Sequence, residues 1–115
     1  MSSQTVQSRD SQRSIEEYAK RIAATHVRDK PDDTQVFVDW TREEVRLVEI
    51  ADHYPVSDEI LPFHFAAEPE RGFDYPVVIV LHSREIWEQH EDKTVLLPDG
   101  WDFDEFRPLG DLRSD

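Results

Sequence analysis

The chain has 115 residues, 37% of them hydrophobic and 34% charged, which is material for one domain with a modest core under a highly charged surface. With 26 acidic against 13 basic residues the formal charge is −13, a balance that disfavours sequence-independent binding to nucleic acid and attraction to anionic membrane surfaces. The longest strongly apolar run, residues 77–81, falls far short of the roughly 20 residues of a transmembrane helix, and the absence of cysteine removes disulfides, thiol nucleophiles and cysteine-based metal sites.

Residues 1–13 are polar and lack bulky side chains, so a disordered leader is expected ahead of a single domain over 14–115. Ser14 and Glu17 fit a capping box, the hydroxyl taking the Glu17 N–H while the carboxylate reaches back to the N–H of Ser14. Ile15, Tyr18, Ala19, Ile22 and Ala23 then recur at helical spacing, with Glu16, Glu17, Lys20 and Arg21 on the other side. This predicts an amphipathic helix over 15–28, stopped by Pro31, which disfavours helical geometry in the residue before it.

Residues 35–40 and 45–50 read as strands joined by a polar loop over 41–44. If that loop closes a hairpin, Trp40 pairs with Val45, Asp39 with Arg46 and Phe37 with Val48; the opposite charges of Asp39 and Arg46 support this register. A loop over 51–58 leads to a third strand over 59–66, where Leu61, Phe63 and Phe65 alternate and Pro62 is expected to confine the strand to an edge or interrupt it with a bulge. After a turn over 68–72, the run from Tyr75 to His82 is apolar in both alternating sets, Val77, Ile79 and Leu81 on one side and Val78 and Val80 on the other. It is expected to be the central strand, covered on both faces.

Ser83 is the expected N-cap of a short helix carrying Ile86, Trp87 and His90 and ended by Asp92 and Lys93. In the last stretch, 94–106, a Pro98-Asp99-Gly100 turn interrupts Leu96, Leu97, Trp101, Phe103 and Phe106, too much apolar area to leave free, so the segment should pack back on the body. The fold class is therefore α+β: an N-terminal amphipathic helix packed on a mainly antiparallel sheet of about four strands, with a short second helix and an aromatic-rich C-terminal segment.

The charge is uneven. Residues 1–30 hold six basic and four acidic residues, a balance of +2 that leaves −15 on the remainder. Only Lys20, Lys30 and Lys93 are lysine, and an acidic, lysine-poor surface suits either salt adaptation, where charge serves solubility, or attraction of a basic protein partner.

Chemistry has few places to gather. Gly72, Gly100 and Gly110 are the only glycines, so phosphate-cradling loops have little to be built from, and neither a G-x-S-x-G elbow nor an H-E-x-x-H motif occurs. The five histidines form no i,i+2 or i,i+4 pair, and no metal or cofactor is expected. His82 stands at the end of the expected central strand, directly before a helix. With Ser83, Arg84 and a nearby His64 it makes a candidate catalytic or anion-binding group at the strand end where open sheets bind ligands. The structural alternative spends Ser83 as a cap, His82 on water or backbone and Arg84 as solvated charge. Trp40 and Trp101, the latter flanked by Asp99 and Asp102, are interaction candidates, with Trp101 either covering the core or displayed.

Three functions follow from this reading. The leading one is a non-enzymatic protein-binding or regulatory module of the cytoplasm, whose partner the acidic body would suit if basic. The others are a small hydrolase or anion/ligand-binding enzyme at the end of the central strand, and an acidic inhibitor or immunity-type protein that blocks a basic partner.

Overall fold

The computed structural model describes residues 3–28, 30 and 32–110, with side chains from Ile15 onward. Pro31, on which the predicted helix stop rests, lies outside the described residues, as do residues 1, 2, 29 and 111–115. In chain order the elements are α1 (Ser3–Val27), β1 (Gln35–Trp40), β2 (Val45–Ala51), β3 (Phe63–Phe65), β4 (Val77–Ser83), α2 (Arg84–Gln89) and β5 (Arg107–Pro108). Three 3₁₀ turns occupy Pro69–Arg71, Lys93–Leu96 and Phe103–Glu105.

α1 starts well before the capping box: Ser14 is interior to a 25-residue helix, and the stretch 3–13, expected as a leader, has helical backbone. Gln4, Gln7, Arg9, Gln12 and Arg13 are good helix formers, and no glycine or proline precedes Pro31. Among the residues with described side chains, those of α1 that cover the core run from Ile15 at the spacing the sequence shows. Ile15, Ala19 and Ala23 are buried at i,i+4 intervals, and the two alanines are short enough to let the helix lie close over β1 and β2.

The sheet has five strands in the order β3-β4-β2-β1-β5. β1 and β2 form the expected hairpin, with Trp40 opposite Val45, Asp39 opposite Arg46 and Phe37 opposite Val48. The hydroxyl of Thr41 closes its loop by accepting from the N–H groups of Glu43 and Glu44 at 3.1 and 3.2 Å. β3 with β4 and β1 with β5 are also antiparallel, whereas β2 and β4 run parallel.

The parallel pair has a topological cause. From the end of β2 the chain passes across the sheet through 52–62, descends as β3, turns through 66–76 and rises as β4 in the gap left between β3 and β2. The middle of the sheet is consequently β2 and not the Tyr75–His82 run, although β4 is covered on both faces as expected, with Val77, Val78, Ile79 and Val80 all buried. β3 is an edge strand, shorter than the predicted 59–66, and it begins directly after Pro62, which lacks the N–H that ladder pairing needs. The fifth strand, β5, is a two-residue addition beside Phe37 and Val38.

One face of the sheet packs under α1 through Val36, Val38, Val45, Leu47, Val77 and Ile79. The opposite face, including Val48, Ile50, Val78 and Val80, is covered by Ile86 and Trp87 of α2 and by Leu96, Leu97, Trp101 and Phe106. The C-terminal segment thus packs back on the body, as its apolar content requires. Among the described residues no helix is long and apolar enough to cross a membrane.

Candidate functional site

The structure gives His82, Ser83 and Arg84 of the predicted strand-end group a partner each. His82 is buried, and its Nε2 stands 2.6 Å from the Leu96 carbonyl; since a carbonyl only accepts, the imidazole carries its proton on Nε2 and donates it there. Burial holds its pKa below the ordinary histidine value, only partly countered by that hydrogen bond. Ser83 caps α2, its hydroxyl accepting from the Ile86 N–H at 3.2 Å. The Arg84 guanidinium donates to Asp52 at 2.9 Å, to the Gln35 side chain at 3.2 Å and to the Asp33 carbonyl. His64 sits on β3 opposite Val78, on the same sheet face as His82 but four positions away along β4, on the order of 13 Å. The group is therefore contiguous for His82, Ser83 and Arg84 and does not bring in His64.

Of the interaction candidates, Trp101 is buried, with 6% exposure, and the Arg46 guanidinium lies 5.4 Å from its ring centroid. Its backbone N–H donates to the Pro98 carbonyl at 3.1 Å across a turn in which Gly100 has φ +88°, a conformation glycine adopts without strain. Asp99 is exposed in that turn, and Asp102 caps the next one by accepting from the Asp104 N–H at 3.0 Å. Trp40 is half-buried against the α1-side core.

An apolar concave feature lies elsewhere. α1 lies chiefly over β1 and β2 and meets β4 with its flank, leaving the edge strand β3 of the same face without a helix above it. Tyr18, Ile22 and His26 recur at i,i+4 on the flank of α1 and form one wall of a pocket of about 250 Å³; Val77 and Ile79 line it from β4, and Phe65, Phe73 and Tyr75 line the side beyond. At one end the walls are tied together. The Tyr18 hydroxyl donates to the Tyr75 carbonyl at 3.1 Å, the two rings meet edge to face at 5.5 Å, and Arg21 donates to the Gly72 carbonyl at 3.1 Å. Phe65 and Phe73, which line it, are 53% and 40% exposed, and Phe63, on the same face of β3, is 47% exposed, bulky apolar side chains left at the surface of a highly charged protein.

The other end of the pocket is held by a buried charge. Glu49, on β2, has no exposed surface, and its carboxylate receives the His26 Nε2–H at 2.6 Å while Lys30 Nζ stands 3.8 Å away. Burial pushes the Glu49 pKa up, but the His26 hydrogen bond, the adjacent Tyr54 hydroxyl and the Lys30 charge outweigh it and hold the carboxyl below its ordinary value. Burial first, and then the same carboxylate, push the Tyr54 hydroxyl far up. His26 is thus fixed at the pocket by a carboxylate that faces its Nε2, the orienting device used wherever an imidazole must hold one direction.

Sequence reasoning passed over Glu49 and His26, yet half the signal was present. In β2 the inward set Val45, Leu47 and Ala51 has Glu49 as its one charged member, and a carboxylate on a buried register position requires a partner. Among the described residues no three His, Asp or Glu side chains converge to hold a metal ion. Comparison of the chain with protein-family models, with curated proteins and with solved structures finds no match in any of the three.

Proposed function

We propose that the protein is a non-enzymatic recognition module of the cytoplasm that binds a protein partner through the pocket between α1 and β3. The observation that carries this reading is the pair of exposed phenylalanines, Phe65 and Phe73, that line a concave apolar pocket on a chain of charge −13, with the exposed Phe63 two residues along the same strand as Phe65. Scattered apolar residues on a surface need no explanation, whereas bulky ones grouped at a pocket are the usual form of a binding site. His82, Ser83 and Arg84 have local structural roles, which lends the enzymatic alternative no support.

A photo-crosslinking phenylalanine analogue placed at Phe65, irradiated in lysate of the native organism, tests the reading against the same analogue at Val95, an exposed position on another part of the surface. Discrete protein adducts from position 65 and none from 95 are expected. Adducts absent at 65, or equal at both positions, would overturn it.

A further inference from the structure

Resting on that recognition reading, we infer that the pocket is the seat of a lysine-type side chain, an aliphatic stem ending in a cation, presented by a basic protein. Three observations converge. First, the pocket combines two surfaces that such a side chain needs: Ile22, Val77 and Ile79 offer an aliphatic lining for the stem, and Phe65, Phe73 and Tyr75 bring aromatic rings for the head.

Second, carboxylates gather at the aromatic end. Glu68 lines the pocket itself, and Glu17 and Asp74 line the adjoining depression that shares Tyr18 with it. Among the described residues, Arg21 and Arg71 stand against them. Arg21 is spent on the Gly72 carbonyl and lies 5.2 Å from the Tyr18 ring centroid; Arg71, 68% exposed along its side chain, reaches Glu68 at only 3.4 Å. An exposed pair of that kind is weak and gives way to an incoming ammonium. His26, at the far end, has its Nε2 engaged by Glu49. Beyond the pocket, the −15 carried by residues 31–115 attracts a basic surface over distance and repels a second copy of this chain.

Third, the protein uses the same pairing internally. Lys93 lies 4.9 Å from the Trp87 ring centroid and Arg46 lies 5.4 Å from that of Trp101, each a long cationic side chain laid over an aromatic face. A pocket of about 250 Å³ lined by several rings offers the same arrangement to a cation of another molecule.

The test is an amide-resolved NMR titration of the full chain at low salt with three capped tripeptides, Gly-Lys-Gly, its trimethyllysine counterpart and its norleucine counterpart, the last matching the stem without the charge. The lysine and trimethyllysine peptides should shift the amides of Ala66, Phe73 and Val77, and the norleucine peptide should bind about tenfold more weakly, the worth of a cation over aromatic faces. Glu68→Gln should weaken the two charged peptides and leave the neutral one unchanged. Equal binding of norleucine would overturn the inference, as would the absence of shifts from all three peptides. In either case adducts from a crosslinker at Phe65 would still uphold the recognition reading, while their loss would remove that reading as well.

Discussion

At the scale of single residues, the buried charge of Glu49 is the costliest feature of the α1 face, and its partners decide whether it is tolerated. A carboxylate without exposed surface is stable only while its hydrogen bonds last, and His26 supplies the closest at 2.6 Å. Glu49→Gln is expected to lower stability by about 1–3 kcal/mol, the cost of losing a charged hydrogen bond in a buried place. His26→Ala should cost a similar amount and raise the Glu49 pKa. A double-mutant cycle by urea unfolding should return a coupling of about 0.5–3 kcal/mol, because the two changes remove one shared bond. Additive effects would show that the pair contributes nothing to the fold. The inward position of Glu49 is legible from the alternation of β2, whereas His26 becomes its partner only through the docking angle of α1, which no local pattern encodes. His82 belongs to the same scale. Burial depresses its pKa, so as pH falls below about 6.5 the unfolded chain takes up a proton that the folded one refuses, and stability declines until the folded pKa is reached. Glu49, also held low, extends the loss at more acid pH, below about 4.3. Asp39, pushed up by burial, acts in the opposite sense and recovers some stability as pH drops toward about 3.9. Urea midpoints measured between pH 8 and pH 5 should therefore fall, and His82→Gln should flatten that decline.

At the scale of elements, the two faces of the sheet are finished differently, and the difference separates packing from function. On one face Trp101 and Phe106 stack over β-strand side chains and are buried. On the other, Phe63 and Phe65 sit on the edge strand β3 with about half their surface in water. Trp101→Ala should then cost about 3–5 kcal/mol, as for other large core aromatics, while Phe65→Ser should change stability by less than about 0.5 kcal/mol. Thermal and urea unfolding of the two variants checks both. A large loss at Phe65 would make it a core residue and withdraw it from any binding role. The elements also show what a sequence can carry. The β1–β2 register follows from a period of two and one pair of opposite charges, both local, and it appears in the structure position by position. The parallel pairing of β2 with β4 depends on where a 25-residue connection returns, residues 52–76, and no neighbouring residues specify that. β5 is two residues ending in proline, too short to show any period. Phe63 and Phe65 were visible as an alternating apolar set, but their exposure follows from β3 lying at the edge with no helix above it.

At the scale of the whole molecule, a charge of −13 on 115 residues sets the response to salt. Like charges on a compact body repel one another, and unfolding moves them apart, so the folded state is strained electrostatically at low ionic strength. Screening relieves that strain. The Debye length is already about 10 Å at 0.1 M salt, and a further tenfold increase shortens it only to about 3 Å, so relief of simple repulsion is nearly complete by a few tenths molar. The melting temperature should accordingly rise as sodium chloride is added and then level off, by about 4–8 °C for each kcal/mol of repulsion removed in a domain near this size. A halophilic surface behaves otherwise, with stability that keeps climbing into the molar range. A melting series from low to molar salt therefore distinguishes the two origins of the acidic surface: a plateau leaves the charge free to serve recognition of a basic partner, and a continued rise assigns it to the solvent. The same series run with the lysine tripeptide bound should show the opposite trend in affinity, which weakens as salt screens the carboxylates at the pocket, so that stability and binding move in opposite directions along one axis.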